Sequence, residues 1–323
     1  MTNIEDRDIE NKEPAIQADG LGRDYGEVRA LEGLDLHVPR GSLVGLLGPN
    51  GAGKTTAMLL LATLLRPSRG VARVFGHDCA SEPTAVRRRL GLAFHEASID
   101  GLLTVEENLY FAARLAGLGG ATANQAVRDA LARTGLEGRA KQPARQLSAG
   151  WRRLADIARA TLHSPDLLIL DEPTVGLDPE HREQTWQLLE TERRTRHTSI
   201  LFSTHYLAEA ESCDHVVLLA NGRVVSTGTP AALKASVGAE MVEVEGAGAS
   251  RFVSALSDRV TVRTQIQTTR GFRVGVEGSR DELAGLASVG SGVDRFSIRP
   301  VTLDDVYFAR ALTPVSPVPG TST

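Results

Sequence analysis

Lysine is scarce: of 36 basic residues in 323, only Lys12, Lys54, Lys141 and Lys234 are lysines. Cysteine is scarcer still, with Cys79 and Cys213 far apart in the chain. That excludes a disulfide framework and a CxxC metal site, and it suits a reducing cytosol. There is no surplus of positive charge, the formal net charge being -4. Without an overall basic field, nucleic acid is not expected as a partner. Long hydrophobic runs are also missing. Residues 59–65 form one of the longest, far short of the roughly 20 apolar residues that cross a bilayer as a helix. Residues 1–13 are acidic and show neither the basic start nor the apolar stretch of a secretory signal. A role at a membrane therefore has to come through a partner.

What is present is a chain that is 41% hydrophobic, enough for one substantial core and a smaller second unit. Residues 1–14 are polar and aperiodic, and residues 313–323 are rich in Pro, Ser, Thr and Gly; both are expected to be disordered tails. Residues 15–236 alternate short apolar runs with helical patterns, the signature of an α/β sheet. Leu43-Val44-Gly45-Leu46-Leu47, residues 167–170 and residues 199–203 read as buried strands, and residues 55–65, 152–162 and 181–194 as helices. Beyond residue 236 the texture changes to short alternating strands around Val242, Val262 and Val274, interrupted by a helical pattern over 280–287. Residues 237–312 are therefore expected to form a small α+β accessory domain. No internal repeat is visible.

The scarce Lys54 falls in Gly48-Pro49-Asn50-Gly51-Ala52-Gly53-Lys54-Thr55-Thr56, which satisfies GxxxxGK[ST] between an apolar strand and a helix. Glycines there let backbone N–H groups close around phosphates, and the helix N-terminus favours negative charge. Lys54 can reach the β and γ phosphates of a nucleotide, and Thr55 can offer its hydroxyl to Mg²⁺. Downstream, Leu167-Leu168-Ile169-Leu170-Asp171-Glu172 is an apolar strand ending in two carboxylates, at the edge where ligands of open α/β sheets sit. Asp171 suits the Mg²⁺ shell and Glu172 is placed to accept a proton from an attacking water. These features establish an ATP site with Mg²⁺ and would fit many P-loop NTPases.

The stretch Leu147-Ser148-Ala149-Gly150-Trp151, just before a helix and about twenty residues before Asp171, narrows the choice. It resembles the LSGGQ signature of ABC ATPases. The resemblance implies a P-loop ABC ATPase domain, with a RecA-like core, a helical subdomain and an antiparallel β subdomain, hydrolysing ATP. Ser148, Ala149 and Gly150 would make an anion-binding helix start that serves the phosphate loop of a second chain, so a head-to-tail dimer is implied. Arg152 and Arg153 at that helix start oppose the macrodipole; a nearby phosphate could offset this, or both could point to solvent. Other resemblances follow in family order. Tyr25 stands where the family stacks an aromatic on adenine, Gly176-Leu177-Asp178 is similar to the D-loop that contacts the opposite nucleotide, and His205 matches the switch histidine that bonds the γ-phosphate and orients Glu172.

Three positions depart from the pattern: Ala149 for Gly, Trp151 for Gln, and His95 where the Q-loop glutamine, a metal-shell and permease-sensing residue, is expected. An imidazole is a poor substitute, since Mg²⁺ prefers oxygen. At the far end, Arg299-Pro300-Val301-Thr302-Leu303-Asp304-Asp305-Val306-Tyr307-Phe308 resembles the ending of daunorubicin-resistance-type exporter ATPases, and the same residues read as a helix capped by Thr302. The resemblance implies an exporter subunit that works with separately encoded integral-membrane permeases at the cytoplasmic face of the membrane. A drug, antibiotic, lipid or similar amphipathic molecule would be the cargo. The alternative is a translation- or repair-type ABC ATPase, but those carry tandem nucleotide domains or long coiled coils, and this sequence has neither.

Overall fold

The computed structural model describes residues 13–278, 280–284 and 292–311. The expected tail at 313–323, all but the last two residues of the expected tail at 1–14, and residues 285–287 of the expected 280–287 helix lie outside the described residues. The chain divides into two compact units. One runs through His205 and includes Asn221–Val224; the other holds Tyr206–Ala220 and everything from Val225 on.

In the first unit the elements run β1 (Ile16–Tyr25), β2 (Val28–Val38), β3 (Leu43–Leu47), α1 (Lys54–Leu61), β4 (Arg69–Val74), β5 (His77–Asp78), α2 (Pro83–Arg87) and β6 (Leu90–Ala93). They continue with α3 (Val105–Leu115), α4 (Gly120–Thr134), α5 (Ala149–Thr161), β7 (Leu167–Asp171), α6 (Pro179–Arg196) and β8 (Ser199–Thr204). Strands β3, β8, β7 and β6 are parallel neighbours in that order. Every residue of β3, β7 and β8 is buried, as unbroken apolar runs require when helices cover both faces of a parallel sheet. The register positions the chemistry. Leu47 lies opposite Thr204, Asp171 opposite Ser203, and Ala93 opposite Leu170. The residues that leave these strands, Gly48, His205, Glu172 and Phe94, therefore emerge side by side at one sheet edge.

A separate antiparallel sheet, ordered β2-β1-β4-β5, carries Tyr25 at a hairpin end where it pairs with Val28. Helices α3, α4 and α5 pack together. Helix α3 is started by a capping box in which Thr104 and Glu107 satisfy each other's backbone N–H groups. Two helix ends differ from the sequence expectation by three or four residues, and α6 runs two residues further than the expected 181–194 at each end. Helix α1 stops at Leu61 rather than 65 because the chain turns through Thr63 at φ 61°, with the N–H groups of Leu64 and Leu65 both returning to the Leu59 carbonyl. Helix α5 begins at Ala149 rather than 152, because Ser148 caps it.

The second unit contains β9 (His215–Ala220), most of β10 (Arg223–Gly228), α7 (Pro230–Ala235), β11 (Glu240–Glu245), α8 (Ala249–Ser257), β12 (Thr261–Gln267), β13 (Gly271–Glu277), α9 (Arg280–Ala284), β14 (Arg295–Pro300) and α10 (Leu303–Ala311). An antiparallel sheet, ordered β12-β13-β11-β14, turns Val242, Val244, Val274 and Val276 into a core with Phe252, Val253 and Leu256 of α8. Alternation puts Glu243 among neighbours of the other parity. It pairs there with Arg273 at 3.1 Å and Arg299 at 2.9 Å. Arg299 also takes both oxygens of Asp305, at 2.6 and 2.8 Å, and Asp305 accepts the N–H of Thr302 at 2.9 Å. The carboxylate of Asp305 thus fastens α10 to β14.

Candidate functional site

The loop between β3 and α1 is shaped by glycine where no other residue fits. Gly53 caps α1 at φ 103°, and a Cβ there would stand 2.7 Å from the Ala30 carbonyl oxygen. Within the loop Lys54 is buried, and its Nζ donates to the carbonyls of Gly48 at 2.7 Å and Pro49 at 3.0 Å. Burial pushes its pKa down, while the carboxylates of Glu172 and Asp171 oppose that shift. Its ammonium lies 4.0 Å from Glu172 Oε1.

Thr55 Oγ1 donates to Asp171 Oδ2 at 2.9 Å, and the Ser203 hydroxyl donates to Asp171 Oδ1. This aligned pair of hard oxygen donors on Thr55 and Asp171 fits a divalent ion such as Mg²⁺. Among the described residues no group of three or more His, Cys, Asp or Glu could hold a metal by itself. The second carboxylate, Glu172, sits at φ 49°, a left-handed conformation uncommon for a residue with a side chain. Its Oε1 is 3.1 Å from His205 Nδ1 and its Oε2 is 3.8 Å from His95 Nδ1. His95 itself is 60% exposed. His95 therefore brings an imidazole to the carboxylate of Glu172.

At the start of α5, Ser148 Oγ accepts the Trp151 N–H at 3.4 Å. Ala149 is exposed and Gly150 buried, the latter because a Cβ on it would fall within the van der Waals envelope of the His181 ring. Trp151 meets that ring edge-on at 5.0 Å and carries the Arg139 guanidinium 3.8 Å above its own ring. Asp178 caps α6 by accepting the His181 N–H at 3.0 Å and pairs with His181 Nδ1 at 2.7 Å. That backbone hydrogen bond, then the side-chain one, holds its carboxyl below the usual range. Tyr25 is 45% exposed, with the Arg23 guanidinium 4.9 Å from its ring centre.

The expectation that Arg153 serves a nearby phosphate or points to solvent is corrected. Arg153 is buried. It donates to the carbonyls of Pro173 at 3.0 Å, Asp171 at 2.9 Å and Phe94. Arg152 turns back to the carbonyl of Leu147 at 3.3 Å. Sequence reading passes over Ser203, which accepts the Glu172 N–H at 3.0 Å. It also passes over Asp156, which accepts the Ser98 N–H at 3.1 Å and pairs with Arg159. The available signal for Ser203 was its place two residues before His205 on a strand beside β7. For Arg153 and Asp156 it was spacing, since residues three apart share a helix face.

The family model described as ABC transporter matches residues 31–175. The chain is 40% identical over 311 residues, 91% of its length and 92% of the relative's, to the daunorubicin/doxorubicin resistance ATP-binding protein DrrA of Streptomyces peucetius. It is 38% identical over 235 residues, 72% of the chain and 73% of the relative, to the Nod factor export ATP-binding protein I of Ralstonia nicotianae. Among solved structures, an ATP-binding subunit of an ABC transporter aligns with TM-score 0.63 and 33% identity, covering 68% of this chain and 92% of that one. The ATP-binding cassette MJ0796, as a dimeric post-hydrolysis state bound to ADP and Pi, aligns with TM-score 0.62 and 25% identity, covering 66% of this chain and 98% of that one.

Proposed function

The chain belongs to the ABC transporter family of ATP-binding, ATP-hydrolysing subunits, and from that premise we propose that it powers export of a drug, antibiotic, lipid or similar amphipathic molecule through separately encoded membrane permeases. The observation that carries this reading is likeness to a drug-resistance ATP-binding protein over 91% of the chain, more than residues 15–236 alone could supply. It also sets aside a translation- or repair-type role. Among the described residues no helix is long and apolar enough to cross a membrane, so placement at the cytoplasmic face would be through the permease.

The roles at the site follow from its chemistry. The backbone N–H groups of residues 50–56 and the Lys54 ammonium bind the phosphates of ATP in the loop that Gly48 and Pro49 open, and Tyr25 stacks on adenine. Thr55 and Asp171 hold Mg²⁺, which supplies charge neutralisation on the phosphate oxygens. The imidazole of His95, set against Glu172, is a poor partner for so hard an ion. Glu172 accepts the proton of the attacking water as His205 orients the carboxylate and bonds the γ-phosphate. Two chains pair head to tail, so that Ser148, Ala149 and Gly150 of each close over the other's phosphate loop and Asp178 reaches the opposite site. The permease docks beside residues 97–109, next to an open groove of about 680 Å³ walled by Glu106, Tyr110, Phe111 and Arg128.

Purification of the full chain from native membranes tests the proposal. Recovery with an integral-membrane subunit, and crosslinks to it from Ser98 or Gly101, are the expected results. Recovery with ribosomes or with a DNA-repair assembly and no membrane subunit would overturn it.

A further inference from the structure

We propose that Arg153 is a positioning residue for Glu172: from the start of the signature helix, its guanidinium holds the backbone on both sides of that carboxylate in the conformation that aims it. The inference rests on the reading of Glu172 as the base. The peptide between Asp171 and Glu172 is gripped at both ends. Its carbonyl accepts from Arg153 Nη2 at 2.9 Å and its N–H donates to Ser203 Oγ at 3.0 Å. One residue further on, the Pro173 carbonyl accepts from Arg153 Nε at 3.0 Å. Between these anchors Glu172 stays at φ 49°, a conformation that survives only where the surroundings over-determine it. If the two carbonyls are released, the residue relaxes toward negative φ, and its carboxylate leaves the reach of His205 and Lys54.

The third nitrogen of the same guanidinium, Nη1, donates to the Phe94 carbonyl, in the peptide that leads to His95. About one turn along the same helix face Asp156 holds the Ser98 N–H, and nearly two turns along Arg159 Nη2 holds the Leu92 carbonyl at 2.8 Å. Helix α5 therefore carries the turn at Glu172 and the loop after β6 as one piece. A buried cation bonded to three carbonyls is costly unless its donors are all placed. The planar fork of arginine places them, and the point charge of lysine does not.

The test is ATP hydrolysis by the full chain carrying Arg153→Met and Arg153→Lys, with nucleotide affinity measured separately by equilibrium binding. Both variants should bind ATP within about twofold of wild type, since no Arg153 contact is to the phosphate loop. For a misaimed reacting group, turnover should fall on the order of 10- to 100-fold in Arg153→Met, with a smaller loss in Arg153→Lys. On a Glu172→Gln background, Arg153→Met should then slow the residual rate no further. Unchanged turnover in both variants, or losses that multiply on that background, would overturn the positioning role. Should Arg153→Met fail to fold, Arg153→Lys alone decides, its unchanged turnover counting against the proposal. Wild-type turnover in Glu172→Gln itself would instead remove the base assignment, an outcome separate from either Arg153 result.

Discussion

At the scale of single residues, the two carboxylates at the end of β7, Asp171 and Glu172, have separable work in the proposed function. Replacing Glu172 by Gln keeps the shape and removes the base, so turnover should fall by about 10²- to 10⁴-fold while ATP binding persists. Steady-state hydrolysis alongside equilibrium binding checks this, and ATP should then trap a dimer visible by light scattering. Lys54→Ala should behave in the opposite way, weakening ATP binding itself, because the ammonium 4.0 Å from Glu172 is the charge that meets the phosphates. His95→Gln should lower the Mg²⁺ concentration needed for half-maximal hydrolysis, since an amide oxygen suits the ion better than imidazole. Superimposable Mg²⁺ titrations would make His95 a bystander. Lys54 and Glu172 were legible as candidates because they stand in contiguous motifs, at 48–56 and 167–172, whereas His95 and His205 stand alone and were placed by resemblance. Arg153 and Ser203 were not legible, because what ties them to the turn at Glu172 is bonding to backbone groups, three carbonyls and one N–H, which no pattern of side chains announces.

At the scale of elements, three of the four parallel strands, β3, β7 and β8, were legible as apolar runs, whereas β6, only four residues long with Gly91 among them, was not. The helix ends were less legible, because they are set by local geometry: Thr63 in a left-handed turn stops α1 early, and the cap at Ser148 starts α5 early. The contact between the starts of α5 and α6 was also invisible in sequence. Gly150 abuts the His181 ring, which Trp151 meets edge-on and Asp178 holds at 2.7 Å. Two opposing effects then decide the outcome of Gly150→Ala. Gaining a helix-favouring residue stabilises by about 0.8–1 kcal/mol, but overpacking a fixed ring costs about 1–3 kcal/mol. The ring is held on two sides, so the clash should win and the variant should melt at a lower temperature. Adding His181→Ala should recover part of the loss in a double-mutant cycle. Additive losses would show that the two helix starts are not in register through this contact.

At the scale of the whole molecule, the change of texture near residue 237 suggested a boundary there, whereas the compact division assigns Tyr206–Ala220 and the residues from Val225 to the second unit. The reason is that strand texture reports local alternation and compactness reports which segments pack together. In that second unit, the ending that resembles the exporter family has a structural task of its own. Burial alone would raise the pKa of Asp305, but the hydrogen bonds from Arg299 and from the backbone and hydroxyl of Thr302 prevail and hold it below the usual carboxylate range. A carboxyl whose pKa is depressed by folding contributes stability that is present above its unfolded pKa, about 3.9, and is lost as pH falls through the folded value. Asp305→Asn should therefore destabilise the chain at neutral pH by about 2–3 kcal/mol, less than the 3–5 of a fully buried pair, because Arg299 keeps Glu243 and is partly exposed. The gap between wild type and variant in thermal unfolding should be widest near pH 7. It should narrow as pH falls below the unfolded value of about 3.9 and on through the folded one, as the wild-type carboxyl is itself protonated. A gap that stayed constant across that range would mean that Asp305 stabilises the unit by shape alone, and the ionic clasp between β14 and α10 would have to be given up.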